Sequence, residues 1–216
     1  ILKRYSDITQ VDMSKGNWLV LSSANYFLDD AKDLCEIQGW YYQFKGRNSI
    51  PLKLLMALNN WEAWRKDAQL NHLEIKNIYE YLGSHVLPGF QKGKTLHSDT
   101  KYLMRDCRAE HGLVTDSVWY EAFEGLDPMT ETYIRNMRAN GEMINKNPRI
   151  IMSTIHGAKG GEADKVLLMQ DITNAALETF SHDPDELHRL FYTGATRAKR
   201  ELHVLDPKDF DRAYIL

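Results

Sequence analysis

Between Ser153 and Val166 the chain reads STIHGAKGGEADKV, which sets a hydroxyl, an imidazole, an ammonium and a carboxylate among three glycines. Thr154, His156, Lys159 and Glu162 carry those groups. Gly157, Gly160 and Gly161 let the backbone turn sharply and approach a ligand closely. The apolar run PRIIMST precedes the stretch, so it reads as a loop at the C-terminal end of a strand, where ligands of open α/β sheets collect. Amide N–H groups, a threonine hydroxyl and a lysine suit phosphates. A carboxylate repels them, which makes Glu162 an acceptor for a sugar hydroxyl. The same residues also fit a polar connection with incidental charges, with His156 as a structural hydrogen-bonder.

A second chemical feature follows. The periodicity predicts a helix over about 184–199, with Arg189, Thr193, Arg197 and Arg200 along one side. Asp183 is placed to cap it, with Pro184 at the first helical position and Glu186 at the third, a capping-box arrangement. Gly194 sits inside it, where glycine costs roughly 1 kcal/mol against alanine; it is expected to let a neighbouring backbone come close. Gly93–Thr95 spell GKT, but Pro88 stands where a phosphate-binding loop needs its first glycine, so the chain has no phosphate cradle of this kind.

The elements that must hold these groups alternate. NWLVLSS (17–23), WYYQFKG (40–46), PRIIMST (148–154), KVLLMQD (165–171) and ELHVLD read as strands. Between the first two, ANYFLDDAKDLCEIQG has helical spacing and stops at Gly39. Ser49 is expected to cap a helix whose apolar positions include Leu54, Leu58, Trp61 and Trp64. Residues 68–147 are almost free of strand signals. The organisation expected is a linker or entry segment over 1–16, an α/β domain with a largely parallel sheet made of 17–67 and 148–216, and a mainly helical insertion over 68–147.

Composition narrows the partners. The formal net charge of −3 means that any nucleic-acid surface is a local patch. No apolar run approaches the roughly 18 residues of a membrane span, so no membrane partner is expected. Cys35 and Cys107 belong to no Cys/His cluster, which reads as a reduced, cytoplasmic protein without a metal site. The opening residue is Ile1, as in a segment cut from a longer protein.

TIHGAKGGEADKV together with ELHRLFYTGATRAKREL resembles motifs V and VI of superfamily 1 helicases of the UvrD/Rep/PcrA type. Thr154, His156, Lys159, Gly160 and Glu162 match the pattern T-x-H-x-x-K-G-x-E; Glu186, Arg189, Leu190, Tyr192, Thr196, Arg197 and Ala198 match E-x-x-R-L-x-Y-V-x-x-T-R-A. The resemblance implies the second RecA-like, three-layer domain of a motor that holds ATP and Mg2+ mainly on a first RecA-like domain of the same protein, absent here. It makes Arg197 the arginine finger on the γ-phosphate, places Glu162 on the ribose, and sets Gly160 and Arg189 on the nucleotide side. Thr154, His156 and Lys159 then contact single-stranded DNA or couple it to the nucleotide.

Departures are present too: Thr193 replaces a valine, Gly161 and Ala163 an apolar pair, and Ser22 and Ser23 occupy a region where the family carries an arginine. The competing reading is a helicase-like scaffold that binds nucleic acid or protein without turnover. Trp18, Trp40, Trp61, Trp64 and Trp119 are candidates either for base stacking or for packing. Lys92, Lys94, Lys101, Arg105 and Arg108 suit either a DNA path or a solvated face.

Overall fold

The computed structural model describes residues 1–142, 147–158 and 160–216, with the backbone alone at 180 and 181. Numbered along the chain, its elements begin β1 (Leu2–Tyr5), β2 (Trp18–Ser22), α1 (Asp29–Gln38), β3 (Tyr42–Phe44), β4 (Arg47–Asn48), α2 (Leu52–Trp64) and β5 (Leu70–Asn71). They continue α3 (His72–Tyr79), β6 (Lys101–Tyr102), α4 (Met104–Glu110), α5 (Trp119–Ala122), α6 (Pro128–Ala139), β7 (Ile150–Thr154), β8 (Ala163–Met169), α7 (Asn174–His182), α8 (Pro184–Ala195) and β9 (Ala198–Leu205).

Two compact units result. The first holds Ile1–Ser49, Arg135–Glu142 and the C-terminal residues to Leu216; the second is built on Ile50–Ile134. In the first, seven strands form one sheet in the order β1-β9-β8-β2-β7-β3-β4, parallel throughout except for the β3–β4 hairpin. This is the α/β, mostly parallel architecture of a RecA-like domain. All five residues of β2 are buried, which is why it reads as a continuous apolar run. Leu19, Leu21, Val166 and Leu168 project to one face and form a core with Leu187 and Phe191 of α8. Alternation turns Trp18 and Val20 to the other face, where the Trp18 ring meets His203 at 4.6 Å between centroids.

The expected linker over 1–16 is instead structural. Leu2–Tyr5 pair with Leu202–Leu205, and Val11 and Met13 are buried. Lys3 and Arg4 hide this strand from pattern reading, because an edge strand with exposed side chains needs no apolar run. The Tyr5 hydroxyl lies 3.0 Å from His203 Nδ1, and His203 Nε2 lies 3.0 Å from Glu201.

The boundary expected after residue 67 falls at Ser49, so α2 belongs to the second unit. Its tryptophans decide this: Trp61 and Trp64 donate indole N–H groups to the carbonyls of Ser117 and Tyr102, both at 3.0 Å. Ser49 does not cap α2; Pro51 precedes the helix, and the Ser49 hydroxyl faces the Tyr42 amide. The second unit otherwise contains α3 to α5, part of α6 and the short β5–β6 pair. Among the described residues no helix is long and apolar enough to cross a membrane. Both cysteines are free and buried; burial pushes the Cys35 thiol far up and the Cys107 thiol to about 12.

Gly39 ends α1 at φ +68°, and a Cβ there would come within 2.4 Å of the Asn136 backbone. Gly39→Ala should therefore lower unfolding stability by about 2 kcal/mol or more, measured by urea titration.

Burial holds the His203 pKa below the ordinary histidine value, against the opposing pull of Glu201. The folded state thus binds its proton less readily than the unfolded chain, so this stabilisation is complete above the unfolded pKa of about 6.5 and is lost as pH falls through the folded one. Between pH 7 and pH 5 the wild-type chain should lose more stability than His203→Gln, and denaturation midpoints across that range check it.

Candidate functional site

The site begins with a topological demand. β7 and β8 flank β2 on opposite sides, both parallel to it. Thr154 pairs with Ser22 at the end of β2, whereas Lys165 pairs with Trp18 at its start. Residues 155–162 must therefore cross β2 from its C-terminal end to its N-terminal end. Ile155 and Ala158 anchor the crossing in the core beside Leu19 and Leu21. The Ile155 N–H donates to the Ser22 carbonyl at 2.9 Å, the Gly157 N–H to the Thr154 hydroxyl at 3.0 Å, and the Gly161 N–H to the Ala158 carbonyl at 2.9 Å. Gly160 sits at φ +82°, in the region that favours glycine.

This corrects the expectation that Thr154, His156, Lys159 and Glu162 share one C-terminal edge. Thr154 and His156 stand at that edge, but Glu162 reaches the opposite one. Lys159 lies outside the described residues.

Arg197 joins Glu162 there. α8 ends at Ala195, short of the expected 199, because the Arg197 amide closes a turn onto Gly194 at 3.2 Å and Ala198 enters the ladder opposite Ala163. The Arg197 carbonyl accepts from the Ala163 N–H at 3.2 Å. Arg197 is half-buried, and its Nε is buried with no hydrogen-bond partner among the described residues. A buried guanidinium N–H left unpaired is costly, and an anion would satisfy it. Glu162 is exposed and lies 3.5 Å from the Lys199 ammonium.

The arginine rail is thus broken. Arg189 alone is helical, exposed, and donates to the Asp185 carbonyl at 3.1 Å; Arg200 lies in β9, 3.8 Å from Asp164. Asp183 does cap α8, accepting from the Asp185 N–H at 3.2 Å. Gly194 admits side chains rather than backbone, since a Cβ there would stand 3.1 Å from Leu168 Cδ1 and 3.4 Å from Ile155.

A cleft of about 750 Å³ runs beside the crossing, and Thr154, Gly161 and Glu162 line it together with Asn25, Lys45 and Arg149. His156 opens elsewhere, into a pocket of about 190 Å³ with Ser23, Thr173 and Glu186. Ser22 and Ser23 donate to the carbonyls of Ala24 and Asp171, at 2.7 and 2.8 Å, so neither hydroxyl replaces an arginine. All five tryptophans are buried, which removes them as stacking platforms. Lys92, Lys94, Lys101, Arg105 and Arg108 are exposed, and Arg108 pairs with Asp116. Sequence reasoning overlooked Lys45, whose only early signal is the Lys-Gly pair that ends a strand.

Residues 124–206 match the family described as the UvrD-like helicase C-terminal domain. The span encloses the crossing, α8, Arg197 and the whole of β9. Over those residues the chain is similar to a UvrD-like helicase C-terminal domain. No curated protein matches the chain.

Gly157 guards the geometry of Thr154. An added Cβ would come within 2.7 Å of the Ser153 hydroxyl and 3.1 Å of the Thr154 hydroxyl. Gly157→Ala should lower stability by about 1 kcal/mol through the displaced turn, read as a shifted denaturation midpoint.

Proposed function

We propose that this chain is the C-terminal motor domain of an ATP-dependent superfamily 1 DNA helicase or translocase, acting with an N-terminal RecA-like domain of the same protein. The observation that carries the reading is Arg197: a half-buried guanidinium with an unpartnered buried Nε, held at the sheet edge that Glu162 also reaches.

At that edge Arg197 meets the γ-phosphate of ATP bound on the other domain. Water attacks the γ-phosphorus, the bond to the β–γ bridging oxygen breaks, and ADP and phosphate leave. The guanidinium stabilises charge on the transferred group, an effect worth about a thousandfold or more in rate. Glu162 accepts a hydrogen bond from a ribose hydroxyl, with Gly160 and Arg189 on the same side. Mg2+ would accompany the ATP phosphates and be held mainly by the other domain.

At the opposite edge Thr154 and His156, with Lys159 of the same loop, hold single-stranded DNA. The crossing over β2 joins the two ends as one packed segment, which supplies a contiguous path between nucleotide and strand. The free, buried thiols suit a reducing, cytoplasmic setting.

In the intact protein, Arg197→Ala should lower ATP turnover about a thousandfold while leaving single-strand affinity unchanged. An unaltered rate would sink the finger assignment. The 216-residue chain by itself should show no ATP hydrolysis, and DNA-stimulated turnover by it would overturn the division of labour. Absence of DNA-stimulated turnover in the intact wild type would favour the scaffold reading.

A further inference from the structure

β1 is an edge strand with little of its own to bury. Leu2, Lys3 and Arg4 are exposed, and only Tyr5 turns partly inward. Backbone pairing with Leu202–Leu205 holds it on one side, and a segment with few buried contacts opens at low free-energy cost. Arg4 adds a bond to the carbonyl of the exposed Leu216. The other two polar side chains of β1, Tyr5 and Lys3, both end on one network centred on the buried His203.

That network has a fixed direction. The Lys3 ammonium, 2.8 Å from Glu201, holds the carboxyl below the usual carboxylate range, so Glu201 stays ionised and can only accept. His203 Nε2, 3.0 Å from the same Glu201 oxygen, must therefore carry a proton. In a neutral ring Nδ1 is then the acceptor, and the Tyr5 hydroxyl donates to it across 3.0 Å.

Protonation of the ring reverses one link. Nδ1 and the Tyr5 hydroxyl then aim protons at each other, so the hydroxyl must turn round and give up this acceptor. The new charge also meets cations. Lys3 on β1 and Lys165 on β8 oppose it, whereas Glu201 on β9 attracts it. Trp18 on β2 meets the ring at 4.6 Å without charge, and Asp12, ahead of β2, acts on Lys165. Because the imidazole is buried, salt and water screen these forces little.

We propose that the network is a proton-operated latch, which fastens β1 to β9 while His203 is neutral and lets β1 open when the ring takes up a proton. The latch needs neither ATP nor nucleic acid. Opening makes β9, the strand that follows Arg197, the outer strand of the sheet in place of β1.

Two amides report the state of β1. The Leu202 and Asp206 N–H groups donate to the Ile1 and Tyr5 carbonyls, at 2.9 and 2.8 Å, and lose those acceptors when β1 leaves. Their hydrogen exchange is followed by NMR on the 216-residue chain between about pH 7.5 and pH 5.5, corrected for the intrinsic pH dependence of amide exchange. Opening should rise as pH falls, by at most about tenfold per pH unit because one proton is taken up. It should depend little on dilute urea, since releasing β1 exposes little surface, whereas Val20 and Leu167 should follow the urea dependence of global unfolding.

His203→Gln should abolish the pH response of the two reporters. Tyr5→Phe, which keeps the ring, should leave them as open at the upper pH as the wild type is at the lower. Reporters that share the urea dependence of Val20 and Leu167 would mean global unfolding and overturn the latch. So would a flat pH response in the wild type, or a wild-type response retained by both variants.

Discussion

A parallel strand on each side of β2 is the constraint on which the rest depends. Parallel neighbours cannot be joined by a tight turn, because each connection must return to the starting end of the sheet. Between β7 and β8 that return is made by 155–162, with no helix among the described residues. The segment lies across β2 because Ile155 and Ala158 are apolar enough to join the core, and because glycine allows the turns around them. Everything chemical in the stretch is distributed by this crossing: hydroxyl and imidazole at one end of the sheet, carboxylate at the other.

The second consequence is electrostatic. β9 begins where β8 begins, so the residue between α8 and β9 is delivered beside the end of the crossing. Arg197 occupies that place and, among the described residues, retains a buried donor without an acceptor. Lys45 shows the same kind of local misfit on the other side of the sheet, as a cation held in glycine-like backbone. Each breaks a local rule of stability at a point facing a cleft or an edge, which is where functional departures from such rules are expected. By contrast, Ser22 and Ser23 are satisfied by nearby carbonyls and sit quietly at the end of β2. The tryptophans are equally settled, with indole N–H groups of Trp61 and Trp64 spent inside the second unit.

Much of the frame is readable without coordinates. β2, β7 and β8 announce themselves as apolar runs because both faces of a parallel strand are covered, and Gly39 marks the end of α1 because its backbone is left-handed. The motifs around Glu162 and Arg197 are equally visible, as is the Asp183 cap. β1 is not readable, since Lys3 and Arg4 give it no apolar pattern; its strand character comes from Leu202–Leu205, at the far end of the chain. The boundary at Ser49 is hidden too, because α2 has the periodicity of any core helix and only its distant partners Tyr102 and Ser117 assign it to the second unit.

The residues by themselves determined which segments bury both faces, where helices cap and stop, and which groups have phosphate and sugar chemistry. These depend on near neighbours along the chain, through periodicity, backbone conformation and side-chain type. Only the tertiary structure decided at which end of the sheet each group stands, and that Glu162 parts company with Thr154 to join Arg197. The reason is physical: strand order and register are set by hydrogen bonds between segments far apart in sequence, and a short loop spans the full length of a strand whenever its two ends are parallel.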